Sequence, residues 1–262
     1  MIHNPINHFQ MRGWRTASSE TPSVTVIYHR NGSSDMDGEY EIRVNTGYRK
    51  PRFGPVELRD IVISMVVLAL AFTIMYRNTP FVMNYLEYAL GSSAVIGLFG
   101  ISLALVVVSV LFHEFGHKFT AQKAGLWSEF RMYPMGLVVT LVMSFFGFLF
   151  AAPGAVYIMG NMDSRTNGKV SIAGPAINIV LAAIGFIGCF AFNGNPVVIF
   201  FYMLASLNSF LALFNLLPVP PLDGSKVLAW NKGIWVVAIA ISIAELVMLY
   251  YGISEIGLYW SI

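Results

Sequence analysis

Long apolar runs set the terms on which this chain can fold. Residues 91–118, 170–192, 196–217 and 233–251 each supply close to the roughly 20 residues that a helix needs to cross a hydrocarbon core, and residues 61–76 form a shorter run extendable at both ends. No water is available at that depth, so a crossing segment must pair its own backbone, which makes each run a helix. Hydrophobic residues make up 56% of the sequence and charged ones 11%, a balance that excludes a water-soluble globule. A formal net charge of +2 is too small for a nucleic-acid partner, and the Lys and Arg residues lie beside the apolar runs, where they act as topology signals. Cys189 is the only cysteine, which excludes an internal disulfide and makes it a core filler. The expected architecture is an all-α polytopic membrane protein of about five to six transmembrane helices.

The second run ends in His113-Glu114-Phe115-Gly116-His117. Histidines four apart stack on one face of a helix, the spacing at which two imidazoles reach one zinc ion, and the glutamate between them can serve as base toward water that the metal activates. Burying these groups behind Ile101-Ser102-Leu103-Ala104-Leu105-Val106-Val107-Val108 would be costly without a partner, and a metal is the partner that uses all three. A catalytic zinc takes three protein ligands, so one more donor is needed, expected to be a carboxylate. Asp223 is the favoured candidate. It follows Asn215-Leu216-Leu217-Pro218-Val219-Pro220-Pro221-Leu222, whose prolines stop a helix and fix the backbone, although an Asp before Gly-Ser is also an ordinary N-cap for residues 225–230. Glu245, inside the last apolar run, is the rival ligand, with a hydrogen-bonded structural or gating role as its other reading.

Topology tests that choice. With the basic amino-terminal segment in the cytoplasm, the second run returns His113 and His117 to the inner face beside Lys118, Lys123 and Arg131. Residues 132–159 are apolar but broken by Pro134, Gly136, Gly147, Pro153 and Gly154. A full crossing there would leave Asp223 about 30 Å from the histidines. A segment that enters and returns keeps Arg165, Lys169, Lys226 and Lys232 cytoplasmic and brings Asp223 to the zinc side, so the sequence predicts a membrane re-entrant, β-hairpin-like segment between the HExxH helix and the next core helix. Lys118 is expected to anchor at the interface and snorkel to head groups.

Residues 1–57 are polar and carry no apolar core, so no secretory signal is expected in them. Val24-Thr25-Val26-Ile27-Tyr28 and Tyr40-Glu41-Ile42-Arg43-Val44 flank a loop-like stretch and predict a small hairpin. His3, His8 and His29 lack ligand spacing and read as solvated. Residues 81–90 suggest an interfacial helical turn carrying Glu87.

The motifs resemble those of the site-2 protease family of intramembrane zinc metalloproteases: His113-Glu114-Phe115-Gly116-His117, then Gly174-Pro175-Ala176-Ile177-Asn178, then Asn215-Leu216-Leu217-Pro218 leading to Leu222-Asp223-Gly224. Their order and apolar setting match over roughly residues 56–251. The resemblance implies one zinc ion per chain on His113, His117 and Asp223, Glu114 as catalytic base, Asn178 near the scissile carbonyl, and a re-entrant sheet over residues 132–159. It divides the chain into residues 1–57, a cytoplasmic segment, and residues 58–262, a transmembrane metalloprotease domain. The implied activity is cleavage of peptide bonds in or near transmembrane helices of membrane-protein substrates, in a multi-pass cell-membrane protein with its active site toward the cytoplasm. Asn178 has a second reading as glue between helices, and Asn215 is expected to orient the proline-rich turn. Many bacterial members carry a PDZ domain and some archaeal members a tandem regulatory domain; no insertion here is long enough for either, which leaves residues 1–57 as the candidate recognition element outside the bilayer. Two other function classes remain in view, a membrane zinc peptidase of another type and a non-catalytic metal-binding protein or transporter. Glu114 speaks against the second, since binding alone does not require it.

Overall fold

A computed structural model of the chain describes residues 23–26, 42–45, 53–147 and 153–255. It divides into two units, Met1–Arg52 and Phe53–Ile262. In the first, β1 (Ser23–Val26) pairs antiparallel with β2 (Ile42–Asn45), Val24 opposite Val44, which is the expected hairpin. His3, His8 and His29 lie outside the described residues.

The second unit is helical apart from one small sheet. Helix α1 (Pro55–Arg77) begins ahead of the expected division after residue 57, with proline at its first position, where a missing N–H is no loss. The short α2 (Pro80–Leu90) starts in the same way and corresponds to the interfacial segment. It ends at Gly91, whose φ of 55° is open to glycine at little cost. Beyond a single 3-10 turn come α3 (Ala94–Val106), a π-turn (Val107–Leu111) and α4 (Phe112–Lys123), which run on as one apolar rod ending in the histidine motif. The sheet strands β3 (Trp127–Met132) and β4 (Gly154–Met159) enclose α5 (Pro134–Ser144). Then follow α6 (Ser164–Ala191), α7 (Val198–Leu216), α8 (Asp223–Trp230) and α9 (Lys232–Glu255). Among the described residues five helical stretches are long and apolar enough to cross a membrane: Pro55–Arg77, Pro80–Lys123, Ser164–Ala191, Val198–Leu216 and Lys232–Tyr251.

Leu68 and Phe72 of α1, Leu98 and Leu105 of α3 and Met203 of α7 are fully buried in one core. The outer faces remain apolar, with Val62 and Leu70 on α1, Val180 and Ile187 on α6, and Val236 and Val247 on α9 all exposed. Such faces would mark interfaces on a soluble protein; on a chain of membrane-length helices they are the surface turned to lipid.

β3 and β4 pair antiparallel from Trp127 opposite Met159 to Met132 opposite Gly154, so the chain returns beside the point where it left α4. This is the re-entrant segment, with one difference. Residues 138–143, expected as part of the β-hairpin-like segment, lie within the helix α5. Pro134 supplies a helix start, and an eleven-residue apolar run that has no neighbouring strand can satisfy its backbone only by coiling.

Candidate metal centre

α4 and α6 cross at the motif glycines. A Cβ on Gly116 would lie 2.9 Å from the Ala173 carbonyl oxygen and 2.8 Å from Ile177 Cδ1, so only glycine lets the two helices approach this closely. A Cβ on Gly174 would fall 2.7 Å from His113 Nε2 and closer still to His117 Nε2, in the space the imidazoles occupy. Gly224 has the same role at the start of α8, where a Cβ would collide with the Leu216 and Leu217 carbonyls at the end of α7. Trp235 Nε1 donates to that Leu216 carbonyl at 2.8 Å and ties α9 to the same turn.

These close approaches bring three side chains together. His113 Nδ1 donates to Asn178 Oδ1 at 2.5 Å, and His117 Nδ1 donates to the Val170 carbonyl at 2.8 Å. With both Nδ1 hydrogens committed, each neutral ring presents a bare Nε2. The two Nε2 atoms lie 3.0 Å apart, and Asp223 Oδ2 lies 3.6 Å from the first and 3.2 Å from the second. Three lone-pair donors at such distances repel unless a cation sits among them. A tetrahedral zinc about 2.05 Å from each donor would separate them by about 3.3 Å, which matches the observed spacing. Among the described residues, His113, His117 and Asp223 are the group of His, Cys, Asp and Glu side chains able to hold a metal ion.

Asp223 does not cap its helix: the N-cap of α8 is Leu222, with no side-chain cap bond. Burial pushes its carboxyl up, but when the two rings are protonated, charge on His117, hydrogen bonds from His113 and His117, and charge on His113 hold it below the ordinary carboxylate range. A metal on the same three atoms would supply that positive charge in place of ring protons. Lys226 Nζ lies 3.6 Å from the other oxygen, Oδ1, so the carboxylate is split between the cluster and a lysine at the rim.

Glu114 opens on the same cavity, about 360 Å³ in volume and lined also by Val156, Asn215, Asp223 and Lys226. Its Oε2 accepts a hydrogen bond from the Val156 N–H of β4 at 3.2 Å. Asn215 donates Nδ2 to the Leu211 carbonyl at 2.9 Å, at the end of α7. Glu245 lies away from the cluster, buried on α9 with no partner for its Oε2.

Asn178 lies behind His113 and is fully buried. Its Oδ1 takes the ring hydrogen, and its Nδ2 donates to the Ser109 carbonyl at 3.1 Å and to Asn208 Oδ1 at 2.8 Å. Every hydrogen-bonding group of this amide that holds a hydrogen is therefore used inside the protein. Lys118 corrects the expectation of a snorkelling anchor. It is fully buried, 2.5 Å from Glu57 Oε1, with the Phe53 ring 4.6 Å away. Asn208 and Ser109 were not foreseen; the available signal was an isolated polar side chain inside an apolar helix, which is costly unless bonded.

A bundle of membrane-length helices that holds a metal-ready cluster beside a carboxylate-lined cavity defines a multi-pass membrane metalloprotease. The profile of Peptidase family M50 matches residues 192–236, and "Putative zinc metalloprotease MJ0611" of Methanocaldococcus jannaschii is 39% identical over 189 residues, covering 71% of this chain and 90% of that protein. The chain belongs to Peptidase family M50 and is a zinc metalloprotease. Further relatives are "Putative zinc metalloprotease Rip2" of Mycolicibacterium smegmatis, 34% identical over 148 residues (49% of this chain, 56% of that one), and "Putative zinc metalloprotease YwhC" of Bacillus subtilis, 33% over 145 (47% and 65%). No solved structure matches the chain.

Proposed function

We propose that this chain is an intramembrane endopeptidase that cuts peptide bonds in or near transmembrane helices of other membrane proteins, using one zinc ion held by His113, His117 and Asp223. The observation that carries the reading is the convergence of two Nε2 atoms and one carboxylate oxygen, 3.0 to 3.6 Å apart, on a cavity that also holds Glu114. Zinc bound there would supply a Lewis acid that polarises a peptide carbonyl and makes water nucleophilic near neutral pH. Asn178 and the Val170 carbonyl keep the imidazoles as neutral Nε2 donors. Glu114 takes the proton of the attacking water and returns it to the leaving amine. Its Oε2 is steadied by the Val156 N–H.

A substrate helix has its amides paired internally and must unwind before it can be cut. Gly154, Ala155, Val156 and Ile158 of β4 line the cavity, and apart from the Val156 N–H, which Glu114 holds, the backbone groups on the side away from β3 could pair with an unwound segment without regard to its sequence. Ile158→Pro is expected to raise KM while leaving zinc content unchanged; an unchanged KM would remove the edge from the reading. By the positive-inside rule, Lys123, Arg131, Arg165, Lys169, Lys226 and Lys232 support a cytoplasmic side for the site. The direct test purifies the protein in detergent, quantifies zinc, and assays cleavage of membrane-spanning peptides by the natural chain and by Glu114→Gln. Zinc bound by both, with proteolysis lost in the variant, supports the proposal; proteolysis retained in the variant contradicts it.

A further inference from the structure

Behind His113 lies a layer that touches neither the cavity nor the reacting atoms. It is made by Ser109 in the π-turn, Asn178 on α6 and Asn208 on α7, all fully buried. Asn208 gives its two Nδ2 hydrogens to the Ser109 hydroxyl and to the Leu204 carbonyl, each at 2.8 Å, and its Oδ1 accepts from Asn178 Nδ2 at 2.8 Å. The second Asn178 hydrogen goes to the Ser109 carbonyl at 3.1 Å, and Asn178 Oδ1 accepts from His113 Nδ1.

The set has a direction. A backbone carbonyl can only accept, so the Leu204 carbonyl decides which end of the Asn208 amide faces away from Asn178. Asn208 Oδ1, together with the Ser109 carbonyl, then decides which end of Asn178 faces His113. Only an oxygen there requires hydrogen on Nδ1 and leaves Nε2 bare. The π-turn contributes as well, because a widened turn displaces the helical ladder, and here Ser109 offers both its carbonyl and its hydroxyl sideways to the two asparagines. With no exposed surface in the layer, no water can replace a lost partner.

We infer that Asn208 is a positioning residue for the metal centre: through Asn178 it fixes the His113 ring in the tautomer that presents Nε2 to the metal, without itself touching the ring. The inference rests on the metal reading above. It differs from a role as glue between α6 and α7, because glue requires bonds of any polarity whereas this set requires one.

The test measures zinc affinity by chelator competition in detergent, the visible absorption of the Co²⁺ form, and the thermal unfolding midpoint, for Asn208→Leu and Asn208→Asp. The leucine variant strands a buried Asn178 hydrogen and should bind zinc about tenfold or more weakly, with a changed Co²⁺ spectrum. The aspartate variant keeps an acceptor for Asn178 but loses the donors to Leu204 and Ser109. It should unfold at a lower temperature yet keep the natural zinc affinity and Co²⁺ spectrum. Zinc affinity that follows the unfolding midpoint in both variants, or that is unaltered in Asn208→Leu, overturns the inference. If Asn208→Leu does not fold, the aspartate variant decides alone: affinity retained supports the inference and affinity lost overturns it. Failure of the underlying metal reading looks different, as His113→Ala would then bind zinc as well as the natural chain.

Discussion

His117 and Lys118 are neighbours in sequence, yet they belong to two buried clusters that differ in charge balance. Lys118 meets Glu57 at 2.5 Å, with the Ser128 carbonyl accepting from Nζ at 3.3 Å and the Phe130 N–H donating to the same Glu57 oxygen at 2.9 Å. One cation answers one anion, and the pair joins α1, α4 and β3. His117 meets His113 and Asp223, and three acceptor atoms face one another at 3.0 to 3.6 Å, with Lys226 only at the rim. A buried cluster that neutralises itself is a structural joint, whereas one that converges lone pairs on a single point suits a metal ion.

Substitutions can break this contrast at either end. The largest effect belongs to Glu114→Gln, which should lower cleavage by about 10²- to 10⁴-fold, the range of a lost general base, while zinc content measured on the purified protein stays the same. At the joint, Lys118→Met leaves Glu57 buried without its cation and should destabilise the fold by about 3–5 kcal/mol, read from denaturant or thermal unfolding in detergent. Adding Glu57→Gln should recover part of that loss, because the amide no longer needs a counter-charge; a double variant less stable than Lys118→Met would show that the pair is not the source. Between the clusters, Gly174→Ala drives a Cβ into the imidazoles and should weaken zinc binding with little change in helix content by circular dichroism. The smallest expected effect is Phe53→Leu, about 1 kcal/mol of stability from the lost ring beside Lys118, with zinc affinity unaltered.

How much of this could be read beforehand follows from what each residue answers to. The five crossing helices were legible because hydrocarbon thickness acts on composition alone, and residues 170–192 and 196–217 coincide closely with α6 and α7. That His113, His117 and Asp223 meet in one cluster was legible because metal chemistry fixes residue type and spacing. Lys118 was misread, since its partner Glu57 lies 61 positions away and a basic residue at the end of a span ordinarily snorkels. The helix α5 was not foreseen within the hairpin-like segment, because a short apolar run suits strand and helix alike. Asn178 shows a different limit. Its motif marked it as important, but the face its amide turns to His113 depends on Ser109 and Asn208, which reach it from 69 and 30 positions away.

The central claim is that Asp223, from the turn after α7, completes the metal site begun on α4. Zinc per chain, measured on the purified natural protein and on Asp223→Ala and Glu245→Ala, tests it most directly. One zinc in the natural chain and in Glu245→Ala, with zinc lost from Asp223→Ala, is the predicted result. Zinc kept by Asp223→Ala and lost by Glu245→Ala would contradict it.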